Sequence, residues 1–173
     1  AIDSIRIWWY SADEQQKRLL IGDPKLNEMP RWIPGNDWFL LVKASQGQTR
    51  IFRAQFDAPV AQPLFPTLAE STIDPAPSPD GRLLACCKSG PEAMDLWLAQ
   101  TDGSNPRPLY AGPGLELEPC WGREGKQVYF ATWDGKNFRV ACVAVTGEKF
   151  RFLTPPGVDC RYPALVHWEP VAQ

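Results

Sequence analysis

Four acidic side chains stand shortly before four recurring prolines, and this spacing is the first sign of a binding site. The prolines are Pro30, Pro75, Pro119 and Pro163, which lie 45, 44 and 44 residues apart. The acidic residues are Glu28, Asp74, Glu118 and, slightly further back, Asp159. Carboxylates gathered from equivalent positions of a repeat would hold a basic peptide or a cation. The alternative is structural, because each carboxylate could instead accept backbone N–H bonds in its own loop.

Aromatic residues near the N-terminus form a second candidate site. If residues 5–10 form a strand, Trp8 and Tyr10 point to one face and Trp9 to the other. An exposed aromatic face marks a protein interface, whereas a strand covered on both sides would use the same residues for packing. Trp32 and Trp121 stand at equivalent places of the repeat, and we expect both to pack in the core.

Catalytic chemistry finds little support in the sequence. His167 is the single histidine, so a Ser-His-Asp triad would have to use it, and no Gly-x-Ser-x-Gly motif is present. The five cysteines lack metal-ligand spacing. We expect them to be small buried residues, with one disulfide between neighbouring repeats as the alternative in an oxidising compartment. The sequence therefore predicts a non-catalytic protein without a metal or cofactor.

The elements that position these side chains follow from the repeat itself. A second marker keeps the same period, since "KRLL", "QPLF", "RPLY" and "RFLT" end at residues 20, 65, 110 and 154. Two markers that share one period of 44 to 45 residues predict a propeller, a solenoid or an array.

Each repeat reads as four short antiparallel strands. In the third copy, "KQVYFATW" and "FRVACVAV" are strands joined by the hairpin signal "DGKN", with "PCW" before them and "FRFLT" after them. The second strand is nearly all apolar in every copy (38–42, 83–87 and 128–131). Both of its faces must then be covered, as they are when sheet stacks on sheet. The prediction is an all-β fold, a propeller of about four four-stranded blades.

Charge and hydropathy exclude several classes of function. The net charge is −2, and no block of like charge is present, so nothing in the sequence predicts binding to nucleic acid or to an anionic membrane. No apolar run approaches the roughly 20 residues that span a bilayer.

The second repeat, "PAPSPDGRLLACC…DLWLAQTDGSNPRPLY", resembles the TolB-like propeller repeat. The third copy is similar but replaces Ser-Pro-Asp with Gly122-Arg123-Glu124. The resemblance implies a binding platform that works outside the cytoplasm, in the periplasm or its equivalent. Similar blades form non-catalytic domains of prolyl-oligopeptidase-like serine peptidases and the catalytic body of oligogalacturonate lyases, but a lyase needs several histidines.

We expect one domain over residues 1–173, with repeats at about 30–65, 75–110 and 119–154. Residues 1–20 and 163–173 would form a shared closing blade. A half-ring that pairs with a second copy, or a part of a larger propeller, are the alternatives.

In a propeller the acidic residues should gather at one mouth of the channel, and a protein or peptide partner would bind there or on the top-face loops. The alternatives are a peptidase propeller domain and a structural subunit of a larger assembly.

Overall fold

The computed structural model describes residues 5–13, 15–23, 27–45, 47–90 and 93–164. In this part of the chain the strands form one two-stranded and three four-stranded antiparallel sheets. The predicted all-β fold of four-stranded blades is confirmed. No helix among the described residues is long and apolar enough to cross a membrane.

The sheets follow one another along the chain, and we name them blades A to D. Blade A contains β1 (Ile7–Tyr10) and β2 (Lys17–Ile21). Blade B contains β3 (Asn27–Trp32), β4 (Trp38–Ser45), β5 (Gln48–Gln55) and β6 (Gln62–Pro63). Blade C contains β7 (Thr72–Pro77), β8 (Leu83–Ser89), β9 (Met94–Gln100) and β10 (Arg107–Tyr110). Blade D contains β11 (Glu116–Trp121), β12 (Gln127–Trp133), β13 (Phe138–Ala144) and β14 (Arg151–Phe152).

The turn between the first two strands explains the Ser-Pro-Asp-Gly motif of blade C. The Gly81 N–H donates to the Ser78 carbonyl at 2.9 Å, and the Asp80 carboxylate accepts the Arg82 N–H at 3.1 Å. Gly81 has a φ of 71°, and a Cβ atom there would lie 2.1 Å from the Pro34 carbonyl of blade B. Glycine is therefore required both by the conformation and by the close approach of the neighbouring blade.

The second strand of blade B is buried on both faces, as the sequence predicts. Phe39 and Leu41 pack towards blade A, while Leu40 and Val42 pack in the cluster shared with blade C. Ala85 of blade C belongs in turn to the cluster shared with blade D. Each sheet thus hides apolar surface against the next one, which is the source of stability in a stacked repeat.

The first strands of blades B, C and D (β3, β7 and β11), which we call the inner strands, line the propeller axis, and each contains a bulge. β7 contacts both β3 and β11, and the strand register shifts just before Arg31, Ala76 and Cys120. One residue in each bulge has a left-handed backbone and directly precedes a recurring proline. These residues are Met29, Asp74 and Glu118, with φ values of 53°, 54° and 58°. Tyr162, which precedes Pro163, has the same left-handed backbone with a φ of 55°. Pro30, Pro75 and Pro119 therefore each mark a bulge beside the axis.

The predicted closing blade is described only in part. Residues 161–164 begin a fourth copy of the inner-strand pattern, with the left-handed Tyr162 before Pro163. Residues 165–173, including the candidate His167, lie outside the described residues. The five cysteines are free. Cys86, Cys87 and Cys142 are buried as expected, whereas Cys120 and Cys160 are only partly buried.

Candidate functional site

The four left-handed residues converge on one cavity at the propeller axis, which we call the axial cavity. Its volume is about 320 Å³. It is lined by Met29, Arg31, Asp74, Pro75, Glu118, Pro119, Tyr162, Pro163 and Ala164. Every inner strand and the beginning of the fourth copy therefore contribute to it.

A chain of hydrogen bonds passes from blade to blade around this cavity. The Asp74 carboxylate accepts the Glu118 N–H at 2.9 Å. The Glu118 carboxylate accepts the Tyr162 N–H at 2.8 Å. A bulge leaves backbone groups outside the ladder of its own sheet, and here the carboxylate of the preceding blade supplies the missing partner. Asp74 and Glu118 thus accept backbone N–H bonds, as the structural alternative to a binding site expected. The N–H groups come from the following copy of the repeat and not from the loop of the carboxylate itself.

The charged groups around the axial cavity are two carboxylates and two guanidinium groups. Arg161 forms an ion pair with Glu118. Burial raises the pKa of Asp74 above its ordinary value, while the hydrogen bond from the Glu118 N–H opposes that shift. The neighbouring charge of Glu118 raises this pKa further, and Arg31 and Arg161 lower it.

Arg31 differs from Arg161, the other guanidinium group near the cavity, because no ion pair neutralises its charge. Its guanidinium donates to the Pro30 carbonyl at 3.0 Å. Among the described residues it forms no ion pair within 4 Å. Arg31 is exposed and can still donate several hydrogen bonds to a ligand, in a geometry that suits a carboxylate.

The structure brings together two of the four acidic residues that the sequence predicted as a ring. Asp74 and Glu118 line the axial cavity, but Glu28 and Asp159 do not. Glu28 pairs with Val42 in the sheet, and the neighbouring Met29 takes the cavity position. Asp159 accepts the Phe138 N–H at 2.9 Å in an exposed loop. The expectation of a four-membered acidic ring is therefore corrected, because the bulge turns the residue directly before the proline towards the axis.

The aromatic residues of blade A divide between the two faces of β1. Trp8 and Tyr10 are 44% and 58% exposed, whereas Trp9 packs against Phe56 with ring centroids 5.3 Å apart. They are separate from the axial cavity, whose lining includes none of them.

The two equivalent tryptophans have different environments. Trp121 is 6% exposed, and its indole N–H donates to the Ala76 carbonyl at 2.6 Å. Trp32 is 46% exposed and makes an edge contact with Phe39. Core packing is therefore confirmed for Trp121 and is wrong for Trp32.

Sequence reasoning missed four residues of the site: Met29, Arg31, Arg161 and Tyr162. The first and last could have been found by comparing the residue directly before each recurring proline. Neither arginine recurs at its repeat position, where Ala76 and Cys120 correspond to Arg31, so a search for repeated residues overlooks it.

Comparisons with known proteins identify the class of fold. No family model matches the chain. The Tol-Pal system protein TolB of Anaeromyxobacter dehalogenans is 25% identical over 109 residues, which cover 63% of this chain and 25% of that protein. The crystal structure of TolB from Acinetobacter baumannii is 15% identical and has a TM-score of 0.75, covering 89% of this chain and 39% of that one. A prolyl endopeptidase structure is 17% identical with a TM-score of 0.66, covering 87% of this chain and 23% of that one.

The fold is therefore that of a β-propeller, and it is TolB-like. The chain spans a quarter of the length of the curated TolB relative and under half of the length of the Acinetobacter structure.

Proposed function

We propose that this chain is a non-catalytic binding platform that engages a protein or peptide at the axial cavity. The observation that carries the proposal is the convergence of four successive repeats on one cavity with an exposed, unpaired Arg31. The likeness to TolB also supports a binding role.

The chain of hydrogen bonds around the axial cavity holds its lining in place, which favours a ligand that makes many weak contacts. Asp74 and Glu118 fix the bulges of the following blades, so little conformational entropy is lost when a partner meets them. Because Glu118 is already engaged by Arg161 and by a backbone N–H, the side chain open to a partner is Arg31. We therefore propose a peptide with an acidic group, in place of the basic ligand that the acidic spacing predicted.

Selection of peptides tests this proposal directly. A displayed library of random 12-residue peptides would be selected on the immobilised chain, and enriched peptides would be measured by fluorescence polarisation. We expect acidic sequences, and we expect Arg31→Gln to weaken binding by about tenfold or more, the effect of losing about 1.4 kcal/mol. Arg123→Gln is the matched control, because Arg123 is exposed and lies outside the axial cavity.

Two results would decide against the proposal. Enrichment of basic peptides whose affinity falls in the Asp74→Asn and Glu118→Gln variants would favour the acidic ring as the binding element. Equal losses in Arg31→Gln and Arg123→Gln would show a general charge effect without a site.

We also propose that the protein works outside the cytoplasm, in the periplasm or its equivalent, as a TolB-like protein would. Fractionation of the native host, with detection of the chain by antibody, tests this. Recovery with the cytoplasmic fraction would contradict it.

The likeness to a prolyl endopeptidase favours a second candidate, a propeller domain that filters substrate for a linked serine peptidase. A fluorophosphonate probe labels active serine hydrolases. Labelling of the native protein that carries this chain would support the second candidate, whereas an unlabelled protein that still binds acidic peptides would support the first.

A further inference from the structure

A cleft of about 150 Å³ lies between blades A and B, and we call it the A–B cleft. Its lining includes Ile7, Trp8, Trp9, Arg31, Trp32 and Phe39. Among the described residues that line it, Arg31 alone carries a charge. The cleft is therefore an apolar site with one cation, and a mostly apolar lining with a few placed polar groups is the usual composition of a ligand pocket.

Arg31 lines both the A–B cleft and the axial cavity. In the axial cavity its charged neighbours are Asp74 and Glu118. In the cleft its neighbours are aromatic and aliphatic side chains. A ligand that is held at Arg31 by an acidic group therefore meets an apolar surface directly beside that contact.

The floor of the cleft belongs to the core, so it does not have to assemble when a ligand binds. Ile7 and Phe39 are buried, and both belong to the apolar cluster between blades A and B. Trp32 makes an edge contact with Phe39, with the ring centroids 5.4 Å apart. Trp8 and Trp32 keep large exposed surfaces at the cleft. An aromatic ring in the cleft would cover these surfaces at a low ordering cost, because packing already fixes the floor beneath it.

The volume of the cleft indicates the size of the ligand group. An engineered apolar cavity of about 150 Å³ binds benzene, so the A–B cleft has room for one six-membered ring. We propose that it binds the phenyl side chain of the same peptide whose acidic group binds Arg31. The inference rests on the proposed function and adds the second side chain that the peptide must contain. An indole is larger than a phenyl ring, so a tryptophan of the peptide would fit less completely.

Titration of the full chain with small probes separates the ring from the acidic group. The chain would be labelled with ¹⁵N-tryptophan, and its indole N–H signals would be followed by NMR and assigned with single Trp→Phe variants. The neutral probe 3-phenylpropionamide should shift the signals of Trp8 and Trp32 and leave that of the buried Trp121 in place. The anionic probe 3-phenylpropionate should bind about fivefold more tightly, because its carboxylate also pairs with Arg31. Indole-3-propionamide should bind more weakly than the neutral phenyl probe.

Two variants of blade A locate the ring. Trp8→Ala removes one wall of the cleft and should weaken the binding of 3-phenylpropionamide about fivefold. Tyr10→Ala is the matched control, because Tyr10 lies on the same face of β1, is also exposed and does not line the cleft. An unchanged signal of Trp121 shows that each variant is folded.

Several outcomes would overturn the inference. One is that neither phenyl probe shifts Trp8 and Trp32. In that case a mass of two chains would assign the cleft to a second copy, and a mass of one chain would show that the chain itself fills it. Equal losses in Trp8→Ala and Tyr10→Ala, or tighter binding of the indole probe, would also overturn it. Equal affinities for the neutral and the anionic phenyl probe would instead contradict the acidic group of the proposed function and would leave the phenyl site supported.

Discussion

In blade C the inner strand begins with Thr72, and in blade D the equivalent residue is Glu116. The Thr72 hydroxyl accepts the Ile51 N–H of blade B at 2.9 Å. The residue opposite Thr72 on the second strand is Lys88, which is buried, pairs with Glu70 at 2.8 Å and lies over the Trp97 ring. Blade B has a similar arrangement, with Asn27 opposite Lys43, and Lys43 paired with Asp23.

Blade D places a carboxylate where blades B and C place a neutral side chain. Glu116 is fully buried and accepts bonds from the Thr132 hydroxyl at 2.9 Å and the Gly112 N–H at 3.2 Å. Thr132 stands where the other blades have lysine, and no ion pair to Glu116 is found among the residues described. Burial raises the pKa of Glu116, and the hydrogen bond from Thr132 opposes the shift.

The comparison shows that the same position of the repeat can hold two kinds of side chain. One is a neutral side chain opposite a paired lysine, and the other is a carboxylate held by hydrogen bonds. In blade C the buried charge is the cation Lys88, which is paired with the carboxylate of Glu70. In blade D the buried charge is an anion held by hydrogen bonds alone, so its charged form destabilises the fold relative to its neutral form. The stability of blade D should therefore fall as pH rises above the ordinary pKa of 4.5 towards the raised pKa of Glu116.

The largest effect is expected from removing the hydroxyl groups in both blades by the same isosteric change. Thr132→Val should lower the free energy of unfolding by about 2–3 kcal/mol at pH 7, since a bond to a charged group is lost, and by less in acid. Thr72→Val should cost about 1–2 kcal/mol at either pH, because it leaves the Ile51 N–H without a partner. Urea unfolding at two pH values measures the free energy of unfolding of both variants. An equal pH dependence of the two losses would contradict the proposed difference between blades C and D.

Neutralising the buried carboxylate should have the next largest effect, with the opposite sign. Glu116→Gln keeps an acceptor for Thr132 and should stabilise the protein by about 1 kcal/mol at pH 7. When the pKa of a carboxyl group is higher in the folded than in the unfolded protein, the protein is most stable with that group protonated. The free energy of unfolding of the wild type therefore falls as pH rises above the ordinary pKa of 4.5 towards the raised pKa of Glu116. The advantage of the variant should thus disappear below about pH 4.5. A constant difference from acid to neutral pH would contradict this account of Glu116.

The smallest effect is expected at the buried cation of blade C. Lys88→Met removes the contact with the Trp97 ring and should cost about 0.5–1 kcal/mol. Lys126→Met is the matched control, because the pair of Lys126 with Glu124 is exposed and should add nothing measurable. Urea midpoints at low and high salt would compare the two variants, and equal midpoints would indicate that burial of Lys88 adds no stability.

The fold could be predicted from the sequence because its evidence is local and repeated. The run from Leu83 to Cys87 is apolar throughout, and no position of it can face water, so stacked sheets follow. The Gly81 and Gly125 turns have positive φ values of 71° and 66° in both the standard and the altered motif. Turn chemistry and strand patterning act over a few residues, and the printed sequence contains all of that information.

The candidate site could be predicted only in part, because its geometry depends on a bulge and on neighbouring blades. Glu28 and Met29 differ by one position, and the bulge alone decides that Met29 reaches the axis. Arg31 has no counterpart in the repeat, so its exposed charge became evident only when the inner strands were seen together.

The sequence by itself determined the period of the repeat and the strands and turns within it. It also determined that both faces of the second strand in each blade must be covered. Only the tertiary structure decided which carboxylates meet at the axis, and why Trp121 is buried while Trp32 is exposed. The physical reason is that hydrophobic patterning and turn conformation are properties of adjacent residues. The burial of a side chain and the partner of a bulged N–H depend on the sheet that packs beside it.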